Sequence, residues 1–360
     1  MRAWIALGVV LPLASVPANA SACPICLRGM RLTTAQHLAA AERAVLAVAA
    51  PDGTSLDVVE IVKGPGAPGE RIGGDVLPPR PGALPSNDAL LLLQGNVSPA
   101  WIVVGRVARE HAGLLRRLAT DAPDETSREA RWREHVAYLL PFLEDDDPMI
   151  AEIAYAELSR APYPALRSLK GALDPEKYVI ALDDPDRRTL YTLLYGIAGG
   201  QQGAGPIGQR LDAAWRAGDA SNLMALLVAD LELRGPSRVA WIERTYLVER
   251  DRTLPEIRAA LLALSVQGSA DAAISRERVI RAYRVFMKHR RPMASFVVQD
   301  LARWRYWDAA PEFLSLLRSG ALPDPASRLA VAAYLRQTPY ADIRAAVDAM
   351  SPSDPARRLP

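Results

Sequence analysis

The chain has 360 residues, half of them apolar and 23% charged, which excludes wholesale disorder and allows two or three packed domains. The formal net charge of +2 gives no overall case for nucleic-acid binding. Only four of the 43 basic residues are lysines, so the cations are almost all guanidinium groups, which favour planar ion pairs and stacking on rings. Two cysteines and four histidines leave little material for metal clusters.

Residues 1–20 have the form of a secretory signal peptide. Arg2 is followed by an apolar stretch over residues 3–16 and by small residues at Ala18 and Ala20, where a signal peptidase would cut. The stretch is too short to span a membrane, and we expect no other transmembrane segment. The mature chain is therefore expected to be exported, to the periplasm or outside the cell. Cleavage before Cys23 would resemble a lipoprotein signal, but Ala20 stands where leucine is usual, so a lipid anchor is the weaker alternative.

Cys23 and Cys26, within the segment 21–32, form a single Cys-x-x-Cys motif. In an exported protein such a pair is expected to be oxidised, and we predict a small disulfide that tethers the N-terminus. A thioredoxin-like redox site would need a strand before the pair, and none is predicted. A zinc site would need two further ligands, for which His37 is the nearest candidate.

Residues 33–106 are predicted to form a small β-domain. Thr33 is expected to cap a short helix that ends near Arg43. The turn 51–53 joins two strands into a hairpin, and loops rich in glycine and proline separate the others. We expect a barrel or sandwich with strands at 44–49, 55–63, 70–72, 89–93 and 101–104.

Residues 107–350 are predicted to be helical. Connecting helices occupy 107–143, with amphipathic segments at 107–118 and 128–143, and the acidic run 144–147 is expected to cap the helix that follows. Paired helices then recur over 144–350, which predicts an α-solenoid, because each pair has to stack on its neighbours to bury its apolar face. The second helices of five pairs are predicted at 186–199, 219–235, 253–268, 291–304 and 324–337, and they end every 33 or 36 residues. Residues 351–360 are predicted to be a disordered tail.

The stretch 257–268 resembles the second helix of a HEAT repeat. The whole layout is similar to a family of uncharacterised secreted bacterial proteins with an early Cys-Pro-x-Cys, a small β-domain and HEAT-like helices, and the closest stretches are 145–172 and 298–307. This resemblance implies the same fold but no reaction, cofactor or partner. The hairpin end at 60–64 is also similar to netrin-type OB barrels, which would imply an inhibitory or metal-contacting N-terminus if Cys23 became the first residue.

No catalytic residue, metal ligand or cofactor is predicted. The glycines at 203–208 match G-x-G-x-x-G, but a helix rather than a strand is predicted before them, so we expect a loop between repeats. The basic run 288–291 is likewise expected to be a solvated loop between helices.

The candidate binding residues are Arg303, Trp304, Arg305, Tyr306 and Trp307, because tryptophan, tyrosine and arginine dominate binding hot spots. The alternative is that Trp304 and Trp307 pack between repeats while the arginines stack on them from outside. We expect a non-catalytic binding or scaffold protein of the bacterial envelope that holds a protein partner, not nucleic acid, on its solenoid surface. The rival hypothesis is a thiol-disulfide oxidoreductase that uses the two cysteines.

Overall fold

The computed structural model describes residues 32–73, 87–96, 98–124, 126–200, 203–268 and 273–350. The predicted signal peptide, the two cysteines and the predicted tail lie outside these residues. The described chain is a mixed α+β protein, in which one α-helix and a five-stranded antiparallel sheet precede fifteen further α-helices.

The sheet is built from strands that the sequence predicts closely. Its strands are β1 (Arg43–Ala49), β2 (Ser55–Lys63), β3 (Arg71–Gly73), β4 (Asp88–Gln94) and β5 (Trp101–Ala108). Their order is β3-β2-β1-β4-β5, so β1 lies at the centre and β3 and β5 lie at the edges. The predicted turn between β1 and β2 is present, and Gly53 has a φ of 66°, a backbone conformation that glycine adopts without strain.

The prediction of a closed barrel or a sandwich is not met by the described strands, which form one sheet with two edges. The β1–β2 pairing shifts register twice and the β4–β5 pairing once, and bulges of this kind bend strands. On one face the side chains of the strands pack against each other. This cluster contains Val45, Ala47, Leu56, Val58, Ile72, Leu90 and Leu92.

The sixteen α-helices cover most of the remaining chain. They are α1 (Thr34–Ala40), α2 (Ala112–Asp121), α3 (Glu129–Leu139), α4 (Pro148–Arg160), α5 (Tyr163–Arg167), α6 (Pro175–Val179), α7 (Arg188–Ala198), α8 (Ala204–Ala217), α9 (Leu223–Arg234), α10 (Ser237–Ile242), α11 (Leu254–Gln267), α12 (Arg276–His289), α13 (Val298–Arg303), α14 (Ala310–Arg318), α15 (Pro325–Gln337) and α16 (Ala341–Met350). A π-helix, Glu243–Val248, follows α10 directly. Short 3₁₀ segments lie at Arg109–His111, Leu140–Phe142, Lys170–Ala172, Ile180–Asp183 and Arg291–Val297.

Several predicted boundaries are wrong. The helix expected from residue 107 begins at Ala112, because β5 continues to Ala108. The Ala108 N–H donates a hydrogen bond to the Asp147 carboxylate at 2.7 Å. The helix expected over 291–304 is a 3₁₀ segment followed by α13. The glycines expected in a loop at 203–208 instead open α8, so this prediction was also wrong.

One face of the sheet shares a core with the first helices. Ala35 and Leu38 of α1 pack with sheet residues and with Leu139, Ile150 and Ile153 of α3 and α4. The buried Glu157 carboxylate of α4 reinforces this junction. Thr33 Oγ1 donates to it at 2.6 Å, His135 Nε2 lies 3.0 Å from it, and Arg160 donates at 2.9 Å.

A second core runs through the helical region from α3 to α16. Within it α7 packs against α9, and α9 packs against α11. The close approach of α7 and α9 depends on Gly196, since a Cβ there would lie 2.6 Å from the Ala229 backbone. No helix in the described ranges is long and apolar enough to cross a membrane.

Candidate functional site

The predicted binding residues 303–307 form the turn that ends α13. Arg305 has a φ of 54°, and it is the residue that reverses the chain. The Tyr306 N–H donates to the Leu301 carbonyl at 2.9 Å, and the Arg305 N–H donates to the Ala302 carbonyl at 3.0 Å. These two bonds define a Schellman motif, in which a left-handed residue closes a helix C-terminus.

Trp304, at the end of α13, is packed against two other helices. Its ring is stacked on Tyr283 of α12, with centroids 5.8 Å apart, and it lies over Gly268 at the end of α11. The guanidinium carbons of Arg276 and Arg303 are 5.6 and 5.9 Å from its centroid. The indole therefore fills the space between α11, α12 and α13, with arginines beside it.

Tyr306 and Trp307 connect the same turn to α15. The Trp307 ring lies 5.2 Å from the ring of Tyr334, and the Tyr334 hydroxyl donates to the Tyr306 carbonyl at 2.5 Å. All three aromatic side chains of the turn are half-buried, and only Arg303 and Arg305 are exposed. The rings thus contribute mainly to contacts between helices, as the alternative interpretation of the sequence expects.

A half-buried acid, Asp300, lies behind the turn. Asp300 accepts hydrogen bonds from the Tyr283 hydroxyl at 2.6 Å and from Arg303 at 2.5 Å. Burial, followed by the negative charge of Asp300, raises the pKa of Tyr283 well above its usual value. Tyr283 is therefore a hydrogen-bond donor at neutral pH and is not available as a base.

The exposed face of α12, the helix whose buried Tyr283 contacts this turn, carries a row of cations that sequence reasoning missed. Arg281, Arg284 and Lys288 occupy an arc of roughly 60° on the helix, at 100° per residue, and Arg291 follows beyond the helix end. All four are exposed, and no ion pair joins any of them to another described residue. We call these four residues the α12 basic face.

Neighbouring cations of α12 are already paired, in contrast to the α12 basic face. Arg278 is paired with Glu243 of the π-helix at 2.8 Å, and Arg290 donates to the carbonyls of Leu247 and Glu249. The opposite side of α12 is apolar and buried. The helix is thus fixed on its inner side and flanks, and its free charges face solvent.

The acidic run 144–147 caps α4, as predicted. The Asp147 carboxylate accepts from Met149 N–H at 2.9 Å, and Asp145 lies 3.2 Å from His111 Nε2. Within the described part of the chain, no group of three or more His, Cys, Asp or Glu side chains is arranged to hold a metal ion. Cys23 and Cys26 lie outside that part.

Comparisons with known proteins give no relative from which a function could be transferred. No family model, no curated protein and no solved structure matches this chain.

The sequence does contain the signal that identifies the α12 basic face. Positions 281, 284 and 288 have the spacing of one helix face, and residues 276–291 carry seven Arg or Lys and one Glu, a net charge of +6. Reading only the run 288–291 hides this pattern, because most of the cations lie upstream of it on the helix.

Proposed function

We propose that this protein is a non-catalytic protein-binding module whose α12 basic face holds an acidic segment of a partner. The observation that carries the proposal is a row of exposed cations at helical spacing, without ion pairs to the described residues, on a helix whose opposite side is buried. The planar guanidinium group of arginine can donate two parallel hydrogen bonds to a carboxylate, so it matches a carboxylate in geometry as well as in charge.

The shape of the surface favours a protein segment over a membrane. The row is one side chain wide, and the α12 basic face contains no aromatic residue, whereas membrane interfaces prefer aromatic side chains. The spacing of the cations, at i, i+3 and i+7, matches carboxylates on one face of a partner helix.

We further propose that α4 to α16 stack as a HEAT-like solenoid, that the protein is exported, and that it belongs with the secreted bacterial proteins it resembles. The successive contacts of α7, α9 and α11 support the stacking. The mass of the mature chain, measured with and without thiol alkylation, tests both the cleavage site and the predicted disulfide between Cys23 and Cys26.

Two synthetic helical peptides of equal composition test the proposed binding. One carries its glutamates on a single face, and the other distributes them around the helix. We expect the full chain to bind the one-faced peptide more tightly, with an affinity that falls as salt is added.

The matched variants have equal net charge. Neutralising the face with Arg281→Gln, Arg284→Gln and Lys288→Gln should weaken binding by at least about tenfold, which corresponds to about 1.4 kcal/mol. Arg109→Gln, Arg250→Gln and Arg318→Gln remove the same charge at exposed positions outside α12 and should have little effect. Equal losses from both triple variants, or tighter binding to anionic vesicles or duplex DNA than to the one-faced peptide, would contradict the proposal.

A further inference from the structure

Trp215 is the most exposed aromatic side chain in the described part of the chain. It lies in the last turn of α8 and is 48% exposed. Its ring centroid is 5.6 Å from the guanidinium carbon of Arg252, and the same carbon is 6.0 Å from the ring of Tyr246. Trp215 is thus the outer member of a layered contact whose inner member, Tyr246, is completely buried.

Two further residues extend this contact. Trp241 of α10 is half-buried and meets Tyr246 edge-on at 5.6 Å, and Arg238 lies over Trp241 at 3.9 Å. Tryptophan, tyrosine and arginine are the residue types that concentrate in binding hot spots. We call Trp215, Arg238, Trp241, Tyr246 and Arg252 the Trp215 patch.

The Trp215 patch contains two buried polar atoms that have no hydrogen-bond partner among the described residues, Tyr246 Oη and Arg252 Nε. The nearby carboxylate of Glu256 is already used. Its Oε1 accepts from Arg252 Nη1 at 3.0 Å, and its Oε2 accepts from the Thr253 N–H at 2.8 Å and from the Thr253 hydroxyl at 2.9 Å. Because an arginine N–H can only donate, the patch lacks an acceptor.

The backbone at this place is also unusual. Tyr246 lies in the π-helix Glu243–Val248. Such helices are rare and frequently occur at functional sites. Here the π-helix holds Tyr246 beneath Arg252 and Trp241.

We propose that the Trp215 patch binds an extended segment of a partner protein, which places an apolar side chain on the Trp215 indole and presents a main-chain carbonyl to Arg252 Nε–H and the Tyr246 hydroxyl. Glu256 already balances the charge of Arg252, so a neutral carbonyl is sufficient and no acidic residue is required. Both donors are buried in this structure, so the proposed contact requires the exposed Trp215 side chain to change rotamer, a common change on binding. This ligand differs from the acidic helix proposed for the α12 basic face.

A random peptide library displayed on phage and selected on the immobilised full chain provides the probe. Enriched peptides are then synthesised and titrated calorimetrically. We expect them to share an aromatic or aliphatic position and to bind with little salt dependence. Trp215→Ala should weaken binding at least tenfold, whereas Tyr340→Ala, which removes an exposed tyrosine elsewhere, should not.

Tyr246→Phe separates a binding role from a structural one. It removes only the unpartnered hydroxyl, so the free energy of unfolding should stay the same or rise, while the selected peptides should bind several-fold more weakly. If no peptide is enriched, or if affinity is unchanged in Trp215→Ala and Tyr246→Phe, the proposal is wrong. The neutralised α12 basic face should leave these peptides unaffected, so either proposal can fail alone.

Discussion

Arginine side chains in this protein stack on aromatic rings as well as pairing with carboxylates. The guanidinium of Arg117 lies 3.8 Å from the ring centroid of Tyr138, and Arg160 lies 4.8 Å from that of Trp132. Arg160 at the same time donates to Glu157. The preference for arginine over lysine thus fits the structure, because a lysine ammonium group lacks the planar guanidinium that both stacks on a ring and pairs with a carboxylate.

Glu157 gives a prediction about acid stability. Burial raises its pKa, but the hydrogen bond from His135, the charge of Arg160 and the hydrogen bond from Thr33 outweigh burial, so the pKa lies below its usual value of 4.5. A lowered pKa in the folded state stabilises the fold above about pH 4.5, and this contribution is lost as pH falls through the folded-state pKa. We expect Glu157→Gln to lower the free energy of unfolding by about 3 kcal/mol at neutral pH.

Urea unfolding over a range of pH measures this effect. The free energy of unfolding of the wild type should approach that of Glu157→Gln as the pH falls below 4.5. Glu129→Gln is the matched control, because Glu129 pairs with Arg133 at the surface and its loss should change little. A difference that does not depend on pH would show that the charge of Glu157 is not what stabilises the fold.

Gly268 gives a prediction about Trp304. The φ of Gly268, −73°, is one that any residue adopts, but a Cβ atom on Gly268 would lie 2.5 Å from the Trp304 ring. We expect Gly268→Ala to cost about 1–3 kcal/mol by overpacking, measured by chemical unfolding. Gly113→Ala, a helical glycine with open space around it, should instead stabilise by about 0.5–1 kcal/mol.

The indole ring is the expected source of this cost. Trp304→Phe removes the atoms that Gly268→Ala would strike, so the double variant should lose less stability than the two single changes together. If the stability losses of the two single variants simply add in the double variant, the Trp304 ring is not the source of the cost of Gly268→Ala.

At the scale of elements, Asp147 joins β5 to α4. One carboxylate oxygen accepts from Met149 N–H at the start of α4, and the other accepts from Ala108 N–H at the end of β5. Asparagine has a single side-chain acceptor, so Asp147→Asn should lower the free energy of unfolding by about 1–2 kcal/mol.

The N-cap of α15 provides a control. Asp324 accepts from the N–H and the hydroxyl of Ser327. The hydroxyl can turn to accept from an amide, so Asp324→Asn should change little. Equal effects of the two substitutions in chemical unfolding would show that the bond to β5 is unimportant.

The elements that the sequence predicts well are those whose boundaries depend on residues adjacent in the chain. The capping boxes at Thr33 and Thr253 and all nine residues of β2 follow from adjacent residues. The single sheet, the π-helix and the exposure of Trp215 depend on contacts far along the chain, which one sequence does not contain. For the same reason the 303–307 turn is visible as an aromatic cluster, but the burial of its rings against α11, α12 and α15 is not.

At the scale of the whole molecule, the shared core couples the sheet to the helices. Ile153 of α4 packs in the same cluster as Leu46 of β1 and Leu91 of β4. We expect Ile153→Ala to cost about 2–5 kcal/mol and to speed amide hydrogen exchange in β1 and β4 as well as in α4. Leu264→Ala in α11 should leave the exchange of the sheet unchanged, since Leu264 belongs to the other core.

The buried tyrosines set the behaviour of the protein in alkali. Burial raises the pKa of Tyr246 to about 12 and that of Tyr178 to about 12, whereas tyrosines of an unfolded chain titrate near pH 10. Above about pH 10 the unfolded chain therefore loses protons that the folded chain keeps, and the free energy of unfolding falls as pH rises. The ionisation of these buried tyrosines, followed by its absorbance, should therefore coincide with alkaline unfolding.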